Sequence, residues 1–130
     1  MTENEHALHR YFIWADRMRF HFDQELGKRG QSVPSTDPLT IEEFMYMSMW
    51  YAQLYAVAEG WRELKLRDRK VDGLLDQTEH IELLRRYRNG VDHFQKDYFD
   101  LRFTKFAAKE NSAAWVRTLN KALSDYFLSR

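Results

Sequence analysis

The sequence has no cysteine, which excludes a disulfide framework, a thiol nucleophile and a thiolate metal site. Proline and glycine are scarce, at two and five residues in 130. Both prolines fall in one stretch, GQSVPSTDPLT at 30–40, so one clear loop interrupts a chain with few breakers. No apolar run approaches the roughly 20 residues that span a bilayer, and the N-terminal MTENEHALHR is too polar for a signal peptide. A cytoplasmic protein without a membrane segment is expected. Neither sign of charge is in excess: 20 Lys and Arg balance 20 Asp and Glu. No global basic field exists to draw in nucleic acid, so any anion must be held by a local patch. Repeats, low-complexity tracts and alternating strand patterns are also missing.

What the chain does have is apolar and aromatic bulk. Hydrophobic residues make up 44% and aromatics 15%, with nine Phe, seven Tyr and four Trp. That is too apolar for a disordered segment, and the length suits one domain over 1–130 with a real core.

The apolar spacing is helical throughout. Residues 4–27 place Leu8, Phe12, Ala15, Arg19 and Phe22 three and four apart, with Gly27 and Gly30 as stops. Thr40 and Glu43 form a capping-box pair ahead of a long helix over 41–66. That helix is apolar on nearly every face, from Phe44 through Trp50, Leu54 and Val57 to Trp61, so protein should surround it. It is either the central helix of a bundle or a dimer face. The cluster Met45, Met47 and Met49 reads as core in the first case and as an adaptable surface in the second. A short helix or turn follows at 68–77. Thr78 then reads as the cap of a helix beginning at Glu79, whose stripe is Ile81, Leu84, Tyr87, Val91 and Phe94. Phe99, Phe103 and Phe106 mark a short packed piece. Asn111 or Ser112 caps a last helix with the stripe Trp115, Leu119, Ala122, Leu123, Tyr126 and Phe127. The expected fold is all-α, a bundle of four or five helices.

One stretch, RRYRNGVDHF at 85–94, is unlike its surroundings. On an ideal helix Arg86, Asn89 and His93 point together, away from the apolar stripe, while Arg88 lies near the stripe's edge. Arg88 and His93, five apart, would not share a face unless Gly90 permits a bend. Arginine offers a planar, permanently charged fork for phosphate. Histidine is the side chain whose ordinary pKa lies near neutrality. The two together are sufficient for phosphodiester chemistry without a metal.

Arg88-Asn89-Gly90-Val91-Asp92-His93 resembles the R-N-x-x-x-H form of the R-x4-6-H motif of HEPN domains. These are small all-α domains of bacterial toxin, antiphage and RNA-processing systems. Active members are metal-independent endoribonucleases and usually homodimers, in which Arg and His from two subunits meet in one cleft. The resemblance implies that Arg88 grips the scissile phosphate, His93 moves a proton and Asn89 orients the arginine. RNA would be the substrate, DNA would be inert, and neither metal nor cofactor would be needed. A protein partner such as an antitoxin fits the same systems. Arg86 stands seven before His93, so it is an alternative motif arginine. Some toxins of the family carry a modifiable Tyr two residues after the His; here that position is Gln95, and the nearest tyrosine is Tyr98. WYAQLYAVAEGWRELKL and LLRRYRNGVDHFQKDYFD are also similar to short uncharacterised bacterial proteins, over about residues 44–106.

Other residues carry two readings each. Glu59, beside Tyr55 and Trp61, reads as a buried carboxylate that takes an arginine from RRYR, either to orient the motif or to tie two helices together. Asp92 lies within the motif and reads as support. Glu63 pairs with Arg67 at i,i+4. His6 and His9 are three apart, but no carboxylate completes a metal site, and none is expected. His21 and His80 read as surface residues. KLRDRK at 65–70 and KDYFDLRFTKF at 96–106 could touch phosphates or stack bases, although packing explains the phenylalanines as well. The alternative function is a non-catalytic helical dimer or adaptor that uses the aromatic and Met-rich helix as its interface.

Overall fold

The computed structural model describes residues 1–30 and 38–130. Most of the proline-containing loop read at 30–40 therefore lies outside the described residues. Among the latter there are six helices and no strand: α1 Glu3–Gly27, α2 Ile41–Glu63, α3 Arg69–Leu75, α4 Thr78–Asp92, α5 Leu101–Ala108 and α6 Ser112–Leu128. The all-α reading holds. The count exceeds the expected four or five because 68–77 and 99–108 each close a short helix of their own.

Caps define most of the starts. The Thr40 hydroxyl accepts from the Glu43 N–H at 3.1 Å, and the Glu43 carboxylate accepts from the Thr40 N–H at 2.8 Å, the reciprocal pair expected from the sequence. Asp68 and Asp100 likewise accept from the first-turn amides of α3 and α5. Two starts depart from expectation. Thr78 is inside α4, and Gln77 caps it without a side-chain bond. Asn111 is the cap of α6, but it sits at φ 66° in the left-handed region and has no side-chain cap bond; its carbonyl accepts from the Trp115 N–H at 2.8 Å. α2 ends at Glu63 instead of running to 66, and Lys65 turns at φ 55°. With the helix ended, Glu63 and Arg67 lose their i,i+4 geometry, and Arg67 lies 3.3 Å from Asp72 instead.

α2 is the central helix. Antiparallel to it runs α1: Leu8 meets Gly60 at one end, where an added Cβ would lie 2.4 Å from the Leu8 side chain, and His21 stacks on Tyr46 at the other. α6 runs alongside both. Trp50 Nε1 donates to Asn120 Oδ1 at 3.0 Å, and Asn120 Nδ2 donates to Asp16 Oδ1 at 3.0 Å, so one buried amide joins three helices. α4 and α5 cover the remaining face of α2 through an aromatic nest of Tyr51, Tyr87, Phe103 and Phe106. Within it the Tyr87 hydroxyl and Ser48 Oγ hydrogen-bond at 2.8 Å.

Several sequence expectations are corrected by this packing. Met45 and Met49 face outward, and only Met47 packs against the core. Phe94 is exposed because α4 stops at Asp92, and Phe99, expected in a packed piece with Phe103 and Phe106, is exposed because α5 begins only at Leu101. His21 and His80 are half-buried and stacked, on Tyr46 and Trp115. Gly90 is buried in an unbroken α4. It serves close approach rather than a bend: a Cβ there would sit 2.9 Å from the Phe103 ring and 3.2 Å from Arg102 Cβ. No helix among the described residues is long and apolar enough to cross a membrane.

Candidate functional site

The last two turns of α4 divide the motif into two faces and an end. Arg88 lies on the α2 side. Its Nη1 donates to Glu59 Oε1 at 3.0 Å, and its Cζ sits 4.9 Å from the centroid of the Tyr55 ring. On α4 itself, Nε donates to Asn89 Oδ1 at 3.2 Å and lies 3.7 Å from Asp92 Oδ2. The guanidinium is therefore held from several sides while a quarter of the side chain stays exposed. Glu59 is half exposed, not buried, but its partner is the arginine from RRYR that the sequence pointed to. Burial raises the Tyr55 phenol above its usual pKa, and the Glu59 charge adds to the rise, so the ring beside Arg88 stays neutral at physiological pH.

Arg86 and Asn89 face the other way, toward α5. With Arg85, Leu101, Arg102 and Lys105 they line a cavity of about 360 Å³ between the two helices. Arg85 Nε donates to Glu82 at 2.9 Å, and Arg86 Nε lies 3.5 Å from the same carboxylate. The Arg85 guanidinium holds the Glu82 carboxyl below its usual range. Arg102 reaches Gln95 Oε1 at 3.1 Å and both Asp100 oxygens at 3.2 Å.

His93 sits where the helix ends. Its N–H closes the last turn on Asn89 O at 3.1 Å, and its backbone is extended, with φ −122° and ψ 128°. The ring is exposed, and no hydrogen bond or ion pair engages it among the described residues. Gln95 Nε2 donates to the His93 carbonyl at 2.7 Å, so the position that departs from the toxin pattern braces this turn.

Arg88, Asn89, Asp92 and Glu59 thus form one network, Arg86 and Asn89 share a groove, and His93 leaves the helix before it can share the face assigned to it. Asn89 belongs to both sides, since its Oδ1 meets Arg88 while the residue lines the α5 groove. Sequence reasoning noted Tyr55 and Gln95 only as neighbours of Glu59 and His93, and it read Arg102 and Lys105 only as part of KDYFDLRFTKF, not as partners of Arg86. The last two carried a signal, for they stand three apart behind an Asp cap, the spacing of one helix face. His9, a metal candidate by spacing, stacks on Phe127 with centroids 4.7 Å apart.

No family model matches this chain. Comparison with curated proteins and with solved structures gives no match either.

Proposed function

We propose that the chain is a HEPN-like, metal-independent endoribonuclease that works as a homodimer. The observation that carries this reading is the arrangement of Arg88 and His93. The guanidinium is preorganised by Glu59, Asn89, Asp92 and Tyr55, and the unengaged imidazole stands at the end of the same helix. A fixed but partly exposed arginine suits a phosphate, which can take the remaining donors at little cost in ordering.

In the proposed reaction the 2′-oxygen of RNA attacks the adjacent phosphorus and the bond from phosphorus to the 5′-oxygen breaks. A cyclic 2′,3′-phosphate and a 5′-hydroxyl are left. One base takes the 2′-hydroxyl proton and one acid gives a proton to the departing 5′-oxygen. Each chain supplies one His93, so two copies supply both roles, and Arg88 stabilises the charge that builds on the phosphate. DNA has no 2′-hydroxyl and is inert.

The test is RNA cleavage by purified protein in EDTA, with wild type beside His93→Ala and Arg88→Ala. Cleavage by wild type alone, leaving cyclic phosphate ends, is the expected result. Intact RNA after incubation with folded wild type, or cleavage that needs added divalent metal, would overturn the proposal.

A second reading, a non-catalytic dimer or adaptor, draws on the apolar residues left outside: Ile13 and Trp14 on α1, and Phe44, Met45 and Met49 on α2, are all exposed. Surface of that kind commonly marks an interaction site. A monomer by light scattering at micromolar concentration would remove this reading and the dimeric part of the first.

A further inference from the structure

The cavity between α4 and α5 is a concentrated positive feature of a chain with no net charge. Four cations, Arg85, Arg86, Arg102 and Lys105, converge on it from two helices, and no carboxylate lines it. Two carboxylates stand at its margin, Glu82 and Asp100, which leaves an excess of positive charge. Glu82 is gripped mainly by Arg85, Asp100 by Arg102, and Lys105 has no ion-pair partner among the described residues. Asn89 adds a neutral donor: its Oδ1 is committed to Arg88, and its amide nitrogen has no partner among the described residues. Planar guanidinium forks, an ammonium and an amide N–H around a concave space are a phosphate-binding set.

The α4–α5 connection supplies the rest. The connection from His93 to α5 presents Phe94, Tyr98 and Phe99 at 89%, 81% and 71% exposure, with Tyr98 and Phe99 edge-to-face at 5.1 Å. Three solvent-facing rings on the segment that joins the two helices of a basic groove match the stacking-plus-charge pattern by which unpaired nucleotides are held. Stacking needs splayed bases, which a duplex does not offer.

We infer that the α4–α5 groove holds a backbone phosphate of single-stranded RNA, with flanking unpaired bases stacked on Phe94, Tyr98 and Phe99. The inference rests on the ribonuclease reading for the identity of the ligand and deepens it by naming the substrate as a single strand. A phosphate in the groove is one side chain, Asn89, away from Arg88. The strand therefore runs past the motif along α4, and a neighbouring phosphate comes within reach of Arg88. A basic and aromatic surface could also meet an anionic membrane. The cations here, however, enter a concavity and are joined by an amide, which favours a discrete phosphate over a flat array of headgroups.

The experiment uses a labelled, single-stranded 2′-O-methyl RNA oligonucleotide, which keeps phosphates and bases but cannot be cleaved. Binding is followed by fluorescence anisotropy over a salt series for wild type, Lys105→Gln, Lys105→Glu and Phe99→Ala, with folding checked by circular dichroism. Both lysine variants should bind more weakly, Lys105→Glu by about tenfold or more. In Lys105→Gln the slope of log affinity against log salt should be shallower by about 0.7, the loss of one phosphate contact on a single strand. Phe99→Ala should weaken binding with its salt slope unchanged. A duplex of the same sequence and anionic phospholipid vesicles should bind more weakly than the single strand. Equal binding by the lysine variants and wild type overturns the groove, even if His93-dependent cleavage is found, and so does a preference for duplex or vesicles. Lys105-dependent binding by a protein that cleaves nothing keeps the groove and removes the nuclease. No binding by wild type removes both.

Discussion

Arg88 on α4 reaches Glu59 on α2 at 3.0 Å, and its guanidinium lies over the face of Tyr55. Both members are partly exposed, so the pair contributes little to stability, about 0.2–1 kcal/mol. Its geometry matters more. Glu59→Gln should leave the melting temperature within a degree or two while lowering RNA cleavage about tenfold, since the guanidinium loses its charged tether. A variant that melts much earlier than wild type, with unchanged activity per folded molecule, would show the pair to be a strut instead.

Arg29 and Glu43 behave differently because Glu43 is only 1% exposed. Arg29 Nε donates to its Oε2 at 2.7 Å, and the Arg29 guanidinium, joined by the Thr40 N–H and opposed by burial, pulls the carboxyl down from 4.5 to about 2. A depressed carboxylate contributes stability that is fully present above its unfolded pKa and lost as pH falls through the folded one. The loss should therefore occur between about pH 4.5 and about pH 2 and amount to roughly 3 kcal/mol. Urea midpoints measured across that range should fall steeply in wild type. They should fall less in Glu43→Gln, which starts lower because it loses the charge-assisted bonds between the carboxylate and Arg29.

His80 gives the opposite end of the scale. It stacks on Trp115 with centroids 5.3 Å apart, and its Nδ1 lies 3.2 Å from Ser112 Oγ. Burial, helped by the Lys109 charge, lowers its pKa below the usual 6.5, with Glu79 opposing. The fold thus prefers the neutral ring. Its contribution is whole above about pH 6.5 and declines as pH falls below it. Melting temperatures compared on the two sides of that value should show a drop in wild type that is smaller in His80→Gln; identical drops would remove His80 as the source.

Gly90→Ala should destabilise. Alanine favours a helix over glycine by about 1 kcal/mol, but its Cβ would press on Phe103 at 2.9 Å, and overpacking of this kind costs about 1–3 kcal/mol. The expected net loss is about 1 kcal/mol, read as a lower urea midpoint. A raised midpoint would mean that α5 yields easily and that the close approach is not tight.

Helical periodicity made most of the core legible before any coordinates. Leu8, Phe12, Ala15 and Phe22, and the whole stripe from Trp115 to Phe127, are buried as their spacing required. The Thr40–Glu43 cap was readable because it is local, needing only two side chains three residues apart. Failures came where the answer depends on where a helix stops. Phe94 continues the α4 spacing on paper, yet the chain leaves the helix one residue earlier. Glu63 loses Arg67 for the same reason. Met45 and Met49 read as core because their helix is apolar all round, and composition does not say which face lacks a neighbour. At the motif, RRYR and Glu59 were paired correctly. The α5 half of the groove was not foreseen, since Arg102 and Lys105 meet Arg86 only through a turn whose path no periodicity encodes.

The Asn120 amide between Trp50 and Asp16 has a consequence for how many structures this sequence can adopt. Leu119, Ala122, Leu123, Tyr126 and Phe127 would pack tolerably in a bundle shifted by one turn, because apolar contacts are non-directional. An indole N–H and a carboxamide are not so tolerant. Sliding α6 by one turn would strand the indole N–H and the amide in the interior, at a cost of about 1–3 kcal/mol for each unsatisfied group. One asparagine thereby makes near-degenerate packings unequal and selects a single alignment of α6 on α1 and α2.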